Sequence, residues 1–118
     1  MYEIKVSCEF SSAHSLREYR GKCEELHGHN WKVELAVASG CLDKAGLVMD
    51  FKKLKQQLWM VLEKLDHKHL NEIAFFKKVN PTSENIARYI YDRVKRNLPA
   101  VKSVTVWESE KASATYYE

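Results

Sequence analysis

From Tyr2 to Phe10 the chain alternates strictly, with Ile4, Val6, Cys8 and Phe10 on one parity and Glu3, Lys5, Ser7 and Glu9 on the other. A period of two marks a strand with one face buried. The same parity runs on through Ser12 to His14, so an unbroken strand would carry His14 onto the inward face. After a polar stretch over 17–25, a second alternation sets His27, His29, Trp31, Val33, Leu35 and Val37 on one side. Gly40 and Gly46 mark a turn. Phe51, Leu54, Leu58, Val61, Leu62 and Leu65 then recur at helical spacing, which predicts an amphipathic helix of about four turns capped by Asp50. Beyond a long connection over 66–80, Pro81-Thr82-Ser83-Glu84-Asn85 opens a second helix, with Thr82 or Ser83 as its cap. Ile86, Ala87, Ile90, Val94 and Leu98 form its buried stripe, ended by Pro99. Two last strands, 102–109 and 112–117, flank the hairpin signal Glu110-Lys111.

The order β-β-α-α-β-β predicts one α+β domain over residues 1–118, an antiparallel sheet with both helices on one face. Such a sheet exposes two edges and one face, which proteins normally pair or cover, so self-assembly is expected. Hydrophobic residues at 45% and charged residues at 30% are ordinary for a globular domain. A net charge of +3, without a basic-aromatic stripe, argues against nucleic acid and suits an anionic small molecule. No apolar run is long enough to span a bilayer and no signal pattern is visible. The three cysteines, Cys8, Cys23 and Cys41, are odd in number and irregularly spaced. These features together lead to the expectation of a cytoplasmic protein without membrane contact.

Three histidines carry the candidate chemistry. His27 and His29, one residue apart on a strand, point the same way, and His14 ends another strand on the inward parity. Three neutral imidazoles leave a coordination position vacant, as catalytic zinc sites do, and zinc is the first choice among divalent ions. Cys23 is either a thiol activated by Lys22 and the nearby ion or an inert small side chain. Asp66-His67 is a proton relay or, the reading favoured on sequence alone, a solvated helix end, and His69 competes for either role. Glu108 shares the inward parity of Val104 and Val106. There it needs a partner, either a lysine or a ligand edge presenting paired N–H donors, as pterins and guanine do.

Phe10-Ser11-Ser12-Ala13-His14, Gly21-Lys22-Cys23, His27-Gly28-His29-Asn30, Met49-Asp50-Phe51, Leu65-Asp66-His67, Pro81-Thr82-Ser83-Glu84-Asn85 and Val106-Trp107-Glu108 span nearly the whole chain. In that order they resemble the 6-pyruvoyltetrahydropterin synthase and 6-carboxytetrahydropterin synthase family. The resemblance implies the tunnelling fold, in which sheets of several subunits join into a barrel. It implies homohexamers of two stacked trimers with sites between subunits. By the same resemblance, zinc is held at His14, His27 and His29, Cys23 is the general base, and Asp66 with His67 relays protons. Glu108 anchors the pterin ring, helped by Thr82 and Ser83. The implied substrate is 7,8-dihydroneopterin triphosphate, for whose phosphates Lys22, Arg17 and Arg20 are candidates. The Cys-Glu-Glu-Leu-His-Gly-His-Asn and Leu-Asp-His-Lys-His-Leu-Asn runs are most similar to the bacterial queuosine-pathway branch. That branch forms 6-carboxy-5,6,7,8-tetrahydropterin and acetaldehyde. The alternatives are the 6-pyruvoyl branch, which eliminates triphosphate on the way to tetrahydrobiopterin, and a non-enzymatic pterin- or purine-binding module.

Overall fold

Strands β1 (Tyr2–His14) and β2 (His27–Ser39) pair antiparallel over their full lengths, from Tyr2 opposite Ser39 to His14 opposite His27. The computed structural model describes residues 1–21 and 24–118; the predicted sites Lys22 and Cys23 lie outside the described residues. Helix α1 (Phe51–Leu62) follows, then the two-residue strand β3 (Lys68–His69) and short 3₁₀ turns at Leu70–Glu72 and Ala74–Lys77. Helix α2 (Ser83–Asn97) leads into the hairpin of β4 (Val101–Ser109) and β5 (Ala112–Tyr117). The sheet order is β3-β1-β2-β4-β5.

The inward parity of β1 and β2 is the one the alternation predicts. Val6, Phe10, Ser12 and His14 are buried on β1, and Trp31, Val33, Leu35 and Val37 on β2. Both helices close over this face through Leu54, Leu58 and Leu62 of α1 and Ile86, Ala87, Ile90 and Val94 of α2. Asp50 caps α1 by accepting from the Lys52 amide at 2.8 Å, and Thr82 caps α2 by accepting from the Asn85 amide at 3.1 Å. Glu84 in the first turn of α2 and Lys95 and Arg96 in the last complement its dipole.

Three features depart from the expected fold. The sheet is mixed rather than wholly antiparallel, because β3 runs parallel to β1 at Ser12 and Ala13. The connection over 66–80 is tied to β1 by side chains that carry no periodic signal. The Asp66 carboxylate accepts from the Ser11 amide at 2.9 Å, the His67 amide donates to the Ser11 carbonyl at 2.6 Å, and the Ser12 hydroxyl donates to the Leu65 carbonyl. Helix α1 is also shorter than expected, with 12 residues, and Phe51 at its start is 55% exposed instead of buried. Spacing on a helical wheel fixes an angle about the axis, not how far along it a neighbour reaches.

The β4 ladders slip twice, each time by one residue. Relative to β2 the slip falls between Val101 and Ser103, which lets both Val101 and Val104 face inward despite their opposite parities. Relative to β5 it falls between Trp107 and Ser109, leaving Glu108 as the extra residue. Bulges of this kind bend a strand and re-aim a side chain.

Candidate metal centre and adjoining cavity

His14 and His27 are direct cross-strand partners, and His29 lies two residues further along the same face of β2. Their rings form a triangle, with centroids 4.7 Å apart for His14–His27, 5.2 Å for His14–His29 and 4.7 Å for His27–His29. Trp31 forms the floor, meeting His14 edge-on at 4.8 Å and His29 at 5.1 Å. Its indole N–H donates to the Ser12 carbonyl at 3.2 Å, which fixes the floor to β1.

The hydrogen bonds select the tautomers. His14 Nδ1 lies 2.7 Å from the Pro81 carbonyl and His27 Nδ1 2.8 Å from the Glu25 carbonyl. A carbonyl only accepts, so each Nδ1 carries a proton, and in the neutral ring the lone pair is then on Nε2, the arrangement that orients metal-binding imidazoles. The buried Nε2 atoms of His14 and His29 have no hydrogen-bond partner among the described residues. Buried nitrogens of this kind require one. The bulge at Glu108 completes the group: one ligand atom from each of His14, His27, His29 and Glu108 lies within 4.8 Å of the others. Nitrogen donors with one carboxylate oxygen suit zinc, and the donor set fits a bound divalent ion.

Burial holds the His14 imidazole below its ordinary pKa of 6.5. The charges of His27 and His29 act the same way, against the Pro81 carbonyl and the Glu108 carboxylate. The folded metal-free protein thus takes up this proton less readily than the unfolded chain. The stabilisation it represents is complete above about pH 6.5 and is lost as pH falls through the lowered value. Thermal melts of chelator-treated protein are expected to show Tm decreasing from neutral to mildly acid pH, and less steeply in His14→Gln.

Beside the histidines, a cavity of about 380 Å³ opens at the start of α2, lined by Arg17, Asn80, Thr82, Ser83, Glu84 and Glu108 among others. Three of the residues expected to hold a ring, Thr82, Ser83 and Glu108, therefore share one wall. Glu84, which also complements the dipole of α2, joins them. Its signal was its place next to two residues already assigned to binding. Thr82→Ala is expected to cost about 1 kcal/mol through the lost cap, measurable by urea unfolding.

Asp66 and His67 stand elsewhere. They approach each other at 3.5 Å, but Asp66 is tied to the Ser11 amide, and the His67 side chain is 82% exposed. His67 has a φ of 54°, a conformation uncommon outside glycine that often accompanies functional sites. A shallow cleft is lined by His67 with Ser11, Asn30 and His29, so His67 borders His29 without joining the cluster. The Arg17 guanidinium donates to the Phe76 carbonyl and, at 3.4 Å, to Asn80 Oδ1, clamping its loop to the approach to α2. His69 pairs with Glu72 at 3.4 Å and stays outside the cluster.

A family model described as 6-pyruvoyl tetrahydropterin synthase matches residues 3–118. The chain is 40% identical over 111 residues to a dihydroneopterin monophosphate aldolase of Pyrococcus furiosus, covering 92% of this chain and 90% of that one. It is 37% identical over 123 residues to a 6-carboxy-5,6,7,8-tetrahydropterin synthase of Synechocystis, covering 99% and 94%. In three dimensions it is similar to 6-pyruvoyl tetrahydropterin synthase of Caenorhabditis elegans, with a TM-score of 0.87 and 27% identity over 99% of this chain and 95% of that one.

Proposed function

Since the chain belongs to the 6-pyruvoyl tetrahydropterin synthase family, we propose that it converts 7,8-dihydroneopterin triphosphate and water to 6-carboxy-5,6,7,8-tetrahydropterin, releasing acetaldehyde and triphosphate for 7-deazaguanine (queuosine) biosynthesis. The observation that carries this reading is the meeting of His14, His27, His29 and Glu108, the last of which also lines a cavity with Thr82 and Ser83. A pterin ring seated there presents two N–H donors to Glu108, and the start of α2 supplies polar groups to the rest of its edge. The ring's side chain then extends toward the three imidazoles. A bound zinc ion would act as a Lewis acid, stabilising negative charge that develops on the side-chain oxygens.

The chain's own residues would handle the protons. Cys23 is assigned as general base, a role helped by a cation nearby that favours the thiolate. Asp66 and His67 form the relay. A carboxylate oxygen 3.5 Å from His67 Nε2 can orient the ring and balance its charge when protonated. Lys22 and Arg20 are the preferred candidates for the triphosphate, because the Arg17 guanidinium already donates to the Phe76 carbonyl and to Asn80 Oδ1.

The expected assembly is a homohexamer of two trimers. Two features support it: β5 pairs on one side only, and β3 covers only Ser12 and Ala13 along the outer edge of β1. Joining such edges between copies would close the barrel. It would also allow the exposed His67 of one copy to reach the cavity of another.

Incubating metal-replete protein with dihydroneopterin triphosphate and identifying products by mass tests the assignment. Acetaldehyde with a carboxylated pterin is the expected result. Triphosphate release without acetaldehyde would move the protein to 6-pyruvoyltetrahydropterin synthesis. The likeness to the Pyrococcus aldolase supplies a second reading, in which the monophosphate is the substrate, and offering both phosphates in one competition assay separates the two.

A further inference from the structure

We propose that Glu108 alternates between two partners. It completes the coordination of the ion at His14, His27 and His29 while no pterin is bound, and it leaves that ion for the N–H edge of the ring when a pterin arrives. This rests on the pterin reading above and adds to it a device that keeps the metal's reactive position shut until the ring is in place.

Distances support the first half. Glu108 Oε1 lies 3.5 Å from His29 Nε2. Four ligands at about 2.0–2.1 Å around a tetrahedral ion stand about 3.3–3.4 Å apart, so this pair already has nearly the spacing of one tetrahedral edge. The four donor atoms span at most 4.8 Å, and small side-chain movements would bring all of them to bonding distance. Among the described residues, His29 supplies the only basic nitrogen within 4 Å of the Glu108 carboxylate. An ion would satisfy both this carboxylate and the partnerless nitrogens of His14 and His29.

The second half follows from chemistry and position. The same carboxylate lines the cavity with Thr82 and Ser83, and its side chain is 40% exposed. Holding two parallel N–H groups takes one lone pair on each oxygen, and turning the carboxylate plane to meet the ring in the cavity would carry it away from the tetrahedral edge it forms with His29. Glu108 is also the bulged residue of β4, without a cross-strand partner on either neighbour, so its backbone can turn without breaking a ladder pair.

Cobalt(II) in place of zinc makes the exchange visible, because its visible absorption reports ligand number and type. The probe is 7,8-dihydropterin, which has the ring but no hydroxylated side chain to bind the metal. In the ligand-free state, Glu108→Gln is expected to alter the cobalt spectrum and weaken cobalt affinity at least about tenfold. Thermal melts of the metal-free proteins check that the variant folds. Adding dihydropterin to the wild type should shift its spectrum toward that of the variant, and the variant should not respond. Identical spectra and affinities for the two ligand-free proteins would overturn the proposal. So would calorimetric binding of dihydropterin that leaves the wild-type spectrum unchanged. If calorimetry detects no dihydropterin binding to the wild type, the function proposed above falls, and the exchange with it.

Discussion

His27→Ala is expected to lose its metal and at least about a hundredfold in turnover, while the metal-free protein melts almost as the wild type does. A Lewis-acid ion supplies several kcal/mol of transition-state stabilisation, and each 1.36 kcal/mol is a factor of ten. His27 isolates that contribution better than its neighbours. Its side chain is 36% exposed, and among the described residues its ring bonds only locally, to the Glu25 carbonyl. Removing it therefore leaves no deep cavity. His14, at 1% exposure and bonded to the Pro81 carbonyl, would confound metal loss with damage to the core. Elemental analysis, turnover and circular dichroism on one preparation decide the matter. Full metal content with full activity in His27→Ala would remove this residue from the site.

Trp31→Ala is expected to destabilise the fold by about 3–5 kcal/mol, the usual cost of truncating a large buried aromatic side chain. Trp31 is fully buried and stacks on Phe10 with ring centroids 6.0 Å apart. The variant should also bind metal more weakly, even under conditions where it remains folded, because His14 and His29 lose the ring against which they lean. Trp31→Phe keeps an aromatic floor but leaves the Ser12 carbonyl without its donor, a loss of about 1–2 kcal/mol. Guanidinium unfolding combined with metal titration separates the two effects. Equal metal affinity in all three proteins would show that the floor has no part in holding the imidazoles.

Much of this is legible in the amino-acid sequence. Alternation over β1 and β2 placed His14, His27 and His29 on one inward face, because a strand's period of two leaves no choice once the apolar parity is known. The cap of α2 and its buried stripe were equally readable, since both are local. The slip that leaves Glu108 unpaired was not legible, because a bulge depends on the partner strand's register. The role of Asp66 in binding the Ser11 amide was also hidden: it joins residues 55 positions apart without a repeating signal. The burial of Phe51 was misjudged for a related reason, since its surroundings are set by tertiary reach and not by spacing.

The facing of His14 and His27 at the last rung of the longest strand pair has a mechanical consequence. Hairpin ends are where hydrogen-bonded ladders breathe most readily, and here an ion would act as a clasp across that end. Opening the final rung would require releasing it, and seating it would hold the rung shut. Metal occupancy and the breathing of the two strand tips are then one equilibrium, and the geometry presented to a substrate is only as rigid as that clasp.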